Sequence, residues 1–166
     1  MDASDIVARV ARAIERHGLE VVLIGNAGAA MHGAPVTTVD IDFLFHRTPV
    51  NLKKLTAIAS DLSATLYQPF YPASKVVRMM NDDETLQVDF LDEVAGVRSF
   101  EGLRKRAQRV TVGGAQVCLA DLADIIKMKR AANRPRDRAV LEILEKTLEA
   151  IKAKPEGKIG SPPETK

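Results

Sequence analysis

Asp40 and Asp42 stand two residues apart in the run Val39-Asp40-Ile41-Asp42-Phe43-Leu44-Phe45. In an extended strand, residues i and i+2 project the same way and lie roughly 7 Å apart. Both carboxylates would then share one face and could converge on one divalent ion or a pair, with Val39, Ile41, Phe43 and Phe45 buried on the other. A solvated strand end gives the same pattern, so the pair alone does not decide its chemistry. Asp89 adds a third carboxylate, on the polar face of a later strand with Thr85 and Gln87, opposite Leu86, Val88 and Phe90. Upstream, the apolar run Val21-Val22-Leu23-Ile24 enters Gly25-Asn26-Ala27-Gly28. Glycine there lets a phosphate approach the backbone, and a helix start favours anions. Together these parts suit phosphoryl or nucleotidyl transfer. Two Mg²⁺ ions about 3.5–4 Å apart, bridged by Asp40 and Asp42, would stabilise the attacking and leaving oxygens of an in-line displacement. Asp89 would complete the shell of one metal or accept the proton of the attacking hydroxyl.

Two charges near the C-terminus fall on the apolar side of their helices. At about 100° per residue, Leu122, Ile125, Ile126, Met128 and Ala132 define a buried arc, and Lys129 lies near its middle. On the next helix Asp137 shares a side with Val140, Leu144 and Leu148, while Arg136 and Arg138 flank it. Buried ions are costly unless paired or hydrogen-bonded. Two readings stand: a structural Lys129 and Asp137 pair or a lysine stem that snorkels to the rim, or a Lys129 that reaches a phosphate near the carboxylates while Asp137 orients it.

The elements that must hold these residues follow from periodicity and breakers. Residues 5–17 show helical spacing, with Gly18 as a stop. After the strand 21–24, small residues read as a tight turn into a short helix closed by Gly33 and Pro35. Thr37 and Thr38 lead into the strand carrying Asp40 and Asp42. Asn51 reads as the cap of a helix with Leu52, Leu55, Ile58, Ala59, Leu62 and Leu66 on one face. Residues 68–74, with two prolines, read as a loop. Strands at 75–80 and 84–91 join across Asn81-Asp82-Asp83. A helix capped by Ser99 runs to Ala107, a hairpin crosses Gly113-Gly114, and two helices begin near Asp121 and after Pro135. Residues 155–166 lack periodicity and read as a disordered tail, leaving one domain over 1–154. There is no internal repeat.

Composition bounds the function classes. The 166 residues are 46% hydrophobic and 28% charged, enough for a core that folds alone. The N-terminus lacks a basic region followed by an apolar stretch, and no segment approaches the ~20 apolar residues of a bilayer span, so the expectation is a cytoplasmic protein without a membrane partner. The single Cys118 excludes an internal disulfide and reads as a packed thiol. A net charge of +2 is too small to argue for nucleic acid, although Lys127, Lys129, Arg130, Arg134, Arg136 and Arg138 cluster within twelve residues. His32 and His46 have no histidine or cysteine at ligand spacing, which argues against zinc, and His32 reads as a helix-end residue. With two tyrosines and no tryptophan, no aromatic platform for stacking bases is evident.

In the order Ile24-Gly25-Asn26-Ala27, His32-Gly33, Thr38-Val39-Asp40-Ile41-Asp42, Val88-Asp89 and Leu122 through Asp137, the chain resembles the nucleotidyltransferase superfamily. It is most similar there to the small AbiEii-type enzymes, some of which are toxins of toxin–antitoxin pairs. The likeness runs from about Val21 to Ala150. It implies a polymerase-β-like fold of the α/β (α+β) class, with a mixed β-sheet flanked by helices and a C-terminal helical pair. It also implies metal-binding, catalytic roles for Asp40, Asp42 and Asp89, nucleotide contacts from Gly25, Asn26, Thr38 and Lys129, and support from Asp137 and Arg134. The activity implied is Mg²⁺-dependent transfer of a nucleoside monophosphate from a nucleoside triphosphate to a hydroxyl of RNA, protein or a small molecule, with an antitoxin as a possible partner. Two positions depart from the pattern. Asn26 stands where members carry glycine or serine after the first glycine, and Val36 where many carry arginine. Asparagine tolerates left-handed backbone and its amide can replace a serine hydroxyl as a phosphate donor, yet its bulk can obstruct a triphosphate. The alternative expectation is therefore a catalytically silent nucleotide- or partner-binding module with the same fold.

Overall fold

The computed structural model describes residues 3–38 and 40–154. The expectations for Val39 and for the tail 155–166 lie outside the described residues. The chain runs α1 (Ala3–His17), β1 (Val21–Ile24), α2 (Gly25–Met31), β2 (Ile41–Phe45), α3 (Pro49–Asp61), β3 (Ala64–Tyr67), β4 (Val77–Asn81), β5 (Gln87–Leu91), α4 (Phe100–Arg106), β6 (Gln108–Val112), β7 (Ala115–Leu119), α5 (Leu122–Ala132) and α6 (Pro135–Ala153). The strands form one sheet in the order β3-β4-β5-β2-β1-β7-β6. β2 with β5 and β1 with β7 are parallel, and the other pairs are antiparallel. This is the mixed sheet flanked by helices, with a C-terminal helical pair, that the motif order implied.

Alternation along the central strands assigns the two faces. Ile41, Phe43 and Phe45 of β2 join Val88 and Phe90 of β5 in a cluster with Val10 and Ile14 of α1 and Leu55 and Ile58 of α3. Phe90 stacks on Phe43 and meets Phe45 edge-on, with ring centroids at 5.6 and 6.1 Å. On the opposite face Val22, Ile24 and Leu44 pack with Leu122, Ile125 and Ile126 of α5 and Leu144 of α6. Asp42 lies between Ile41 and Phe43 and therefore projects to this second face.

Several boundaries differ from the sequence reading, each for a local reason. β2 begins at Ile41, and Asp40 occupies the bend before it. Thr48, not Asn51, caps α3: its Oγ1 accepts the Asn51 N–H at 3.1 Å, and Pro49 takes the first helical position, where no N–H is needed. Leu66 leaves that helix for β3, opposite Met79, after Ser63 reverses the chain at φ +52°. β4 starts at Val77 and β5 at Gln87, because Asn81 closes a longer turn by accepting the Leu86 N–H at 2.9 Å and donating to Thr85 Oγ1 at 2.7 Å. Ser99 caps α4 as expected, accepting from Gly102 N–H. No helix among the described residues is long and apolar enough to cross a membrane.

Candidate active site

Strand register sets the frame of the site. Ile24 pairs with Asp42, Asp42 with Asp89 and Asp89 with Arg78, so these four residues form one row across β1, β2, β5 and β4. Asp40 joins from the bend before β2, its carbonyl oxygen accepting from Thr38 Oγ1. One carboxylate oxygen from each of Asp40, Asp42 and Asp89 lies within 4.8 Å of the others, a separation that one cation could bridge.

Gly25 makes room for this cluster. It follows β1 directly, adopts φ +68°, and a Cβ on it would lie 2.7 Å from Asp42 Oδ2. Both its backbone and its missing side chain are therefore required where a carboxylate presses against the turn. Burial pushes the Asp42 carboxyl up to about 7, with the charges of Asp40 and Asp89 adding to the shift and Lys129 and Arg134 opposing it. Crowded acids of this kind fit a divalent cation, whose charge would remove the repulsion that raises Asp42.

The C-terminal helices bring a second charged group. Asp137, 1% exposed, accepts from Arg134 N–H at 3.1 Å, Arg134 Nε at 2.6 Å and Arg134 Nη2 at 3.2 Å, closing a capping box at the start of α6. Lys129 Nζ lies 3.7 Å from Asp137 Oδ1, with its side chain 11% exposed. Burial raises and Arg134 lowers the Asp137 carboxyl, and the arginine prevails. Burial holds Lys129 below its ordinary range, against the pull of Asp137. The inward Lys129 is thus the paired lysine of the first reading, and it also faces the cleft of the second. Asn133, in left-handed backbone at φ +51°, ends α5 and lets the two helices fold back on each other.

All nine residues named from sequence, Gly25, Asn26, Thr38, Asp40, Asp42, Asp89, Lys129, Arg134 and Asp137, line one cleft of about 510 Å³. Two differ in detail from the expectation. Thr38 spends its hydroxyl proton on the Asp40 carbonyl. Asn26 turns its amide N–H toward Thr37 O at 3.5 Å, while its Oδ1 is buried without a hydrogen-bond partner. Three further cleft residues were missed. Arg78 grips Asp89 with Nε–Oδ1 at 2.8 Å and Nη2–Oδ2 at 3.0 Å, a bidentate pair that lifts the arginine further above its ordinary range. A hairpin register centred on the correct turn would have found it. Arg136 lines the cleft with no ion-pair partner among the described residues. Phe70 lines it from the loop before β4 and is exposed. His32 ends α2, with its Nε2 2.8 Å from Ala120 O, so it serves the fold. Cys118 is half-buried beside a separate cavity of about 380 Å³, and burial pushes its thiol up.

Residues 3–159 match the family described as "Nucleotidyl transferase of unknown function (DUF2204)". None of the curated proteins matches. Among solved structures the chain is similar to the lincosamide antibiotic adenylyltransferase LnuA, with 11% identity and a TM-score of 0.62 over 86% of this chain and 96% of that one. It is also similar to the antibiotic-resistance factor ANT(2'')-Ia, with 14% identity and a TM-score of 0.61 over 90% and 85%. An antigenic nucleotidyltransferase-like protein from Paracoccidioides brasiliensis gives 12% and 0.59 over 89% and 75%. At these identities the likeness is one of fold.

Proposed function

The chain belongs to this nucleotidyl transferase family, a family of enzymes, and we propose that it moves a nucleoside monophosphate from a nucleoside triphosphate to a hydroxyl with the help of Mg²⁺. The observation that carries this reading is the convergence of Asp40, Asp42 and Asp89 within 4.8 Å, in the same cleft as Gly25, Lys129 and Arg134. Asp40, Asp42 and Asp89 would hold the metal, which when bound neutralises phosphate charge and polarises the reacting phosphorus. Gly25 leaves the backbone N–H groups of the turn open to phosphate oxygens. Lys129 and Arg134 share Asp137 and act as a fixed positive wall. Arg136, which has no ion-pair partner among the described residues, would be free to close on the β- and γ-phosphates. The acceptor oxygen bonds to the α-phosphorus, the bond from that phosphorus to the β-phosphate oxygen breaks, and pyrophosphate leaves. The hydroxyl proton passes to Asp89, which Arg78 holds in place.

The adenylyltransferase LnuA among the neighbours named above supports this class of reaction and leaves the acceptor open among small molecules, RNA and protein. The toxin role and antitoxin partner carried by the AbiEii likeness are part of the same reading, as is a cytoplasmic domain of residues 1–154 with residues 155–166 outside it. Calorimetry with each nucleoside triphosphate and Mg²⁺ tests the core of it: wild type should bind, and Asp42→Ala should not. A folded wild type that binds no nucleotide in Mg²⁺ overturns it. Growth arrest on expression, relieved by Asp42→Ala, tests the toxin role.

Asn26 favours a second reading, a silent binding module, because a buried amide oxygen without a partner occupies the turn where phosphate would seat. Asn26→Ser or Asn26→Gly creating transfer absent from wild type supports that module. Full wild-type turnover excludes it.

A further inference from the structure

The two ends of the cleft differ in chemistry. α5 packs on α2, which follows β1, and Lys129 and Arg134 stand near enough to Asp42 to act on its charge, with Arg136 lining the same cleft two residues on. Asp89 is one strand further along the sheet, toward β4 and β3, and the loop joining those two strands carries Phe70. That end is walled by Pro69, Val76 and Leu91. Its cations are spoken for, Arg78 by Asp89 and Lys75 by Glu93 at 3.2 Å.

Phe70 is presented, not packed. It is 85% exposed and joins neither core cluster. Its φ of +61° is a left-handed backbone that costs a non-glycine residue roughly 1–2 kcal/mol. The Ser74 N–H bonds Phe70 O at 3.0 Å and so fixes this peptide while the ring stays outside. Tyr67 and Tyr71 beside it are exposed as well, whereas Phe43, Phe45 and Phe90 are consumed by the core. The sequence reading singled out none of these three exposed rings.

In-line displacement fixes which substrate meets these rings. The leaving pyrophosphate is drawn toward the cations beside Asp42, so the attacking hydroxyl must enter from the opposite end, past Asp89. The geometry points to Phe70 as the acceptor platform, taking a small hydroxyl compound that stacks an uncharged ring face on Phe70 and turns its hydroxyl to Asp89. A polynucleotide does not fit this end, because among the described residues no unpaired cation lines it to meet a phosphate backbone. The inference rests on the nucleotidyl-transfer reading, and the oxygen, phosphorus and proton move as described there.

The sequence contains no tryptophan, so Phe70→Trp supplies a single fluorescent reporter at an exposed position. With Mg·ATP saturating, uridine and methyl β-glucoside should each quench it at millimolar concentration, with little change between about 50 and about 200 mM salt. A decamer of uridylate should bind no more tightly than uridine. Phe70→Ala should keep its affinity for Mg·ATP within about twofold. Three results overturn the inference while leaving nucleotidyl transfer intact. The decamer binds about tenfold or more tightly than uridine with a steep salt dependence; Phe70→Ala weakens Mg·ATP about tenfold, which assigns Phe70 to the nucleotide base; or neither ring compound moves the fluorescence although Mg·ATP binds. Failure of wild type to bind Mg·ATP removes the underlying reading and the inference with it.

Discussion

Two aspartates in one cleft have opposite surroundings. Asp137 is gripped by Arg134 through three hydrogen bonds and faced by Lys129, and its carboxyl sits below the ordinary range. Asp42 is half-buried against Gly25 with Asp40 and Asp89 beside it, and its carboxyl is pushed up to about 7. One group of charges is balanced within the chain, and the other is not. Compensated burial marks a structural joint, here the hinge between α5 and α6. An uncompensated acid cluster, on the function proposed above, marks a place where a cation and its substrate would supply the missing charge.

The largest effect should come from breaking the uncompensated side. Asp42→Asn should lower nucleotidyl transfer by at least about a thousandfold, on the scale of lost metal and electrostatic catalysis. It should also raise the stability of the metal-free protein by on the order of 2 kcal/mol, since it removes a charge the fold disfavours. Labelled-nucleotide transfer and urea denaturation would be measured together. A stabilised, inactive variant fits the contrast, and a destabilised one contradicts it. Asp137→Ala should behave the other way, losing about 3 kcal/mol because Lys129 is left buried without its counterion. If that variant unfolds at the wild-type urea midpoint, the pair does not hold the helices.

Gly25→Ala should cost roughly 2 kcal/mol from positive φ and from a Cβ placed 2.7 Å from Asp42 Oδ2. The companion change Asp42→Gly should recover part of that loss, a coupling that a double-mutant cycle reads directly. The last effect is in pH. Asp42, raised from 3.8 to about 7, contributes stability that is fully present below about pH 4 and is lost as pH climbs toward 7. Asp137, lowered, contributes stability present above about pH 4 and lost as pH falls through its depressed value. Melting temperature without metal should therefore decline between pH 5 and pH 7 by a component that Asp42→Asn abolishes and that Mg²⁺ suppresses.

Side-chain period was the part of this architecture that could be read from residues alone. Alternation brought out Asp42 and Asp89 on polar strand faces, and a helical wheel brought out Lys129 and Asp137 against their neighbours, because each signal is local. Register is not local. Arg78 faces Asp89 only because Asn81 widens the turn by closing on Leu86, and a count from the polar triplet places the partner elsewhere. The cap of α3 was misassigned because Asn51 and Thr48 are both capping types, and Pro49 at the first helical position decides between them. Phe70 gave no signal, since a loop without periodicity does not reveal which ring it holds out to solvent.

The row Ile24, Asp42, Asp89, Arg78 crosses four adjoining strands at the centre of the sheet. Opening this stretch of backbone means separating strands whose other faces carry Phe43, Phe45 and Phe90, so the reacting centre has no private mode of fluctuation. Amide hydrogens at 42 and 89 should exchange only through whole-molecule unfolding, whereas those of residues 68–76 should exchange through much smaller openings. On the proposed function, a catalytic floor as durable as the fold itself would sit beneath a rim free to vary in sequence and shape, so that acceptor preference could change without disturbing the chemistry beneath it.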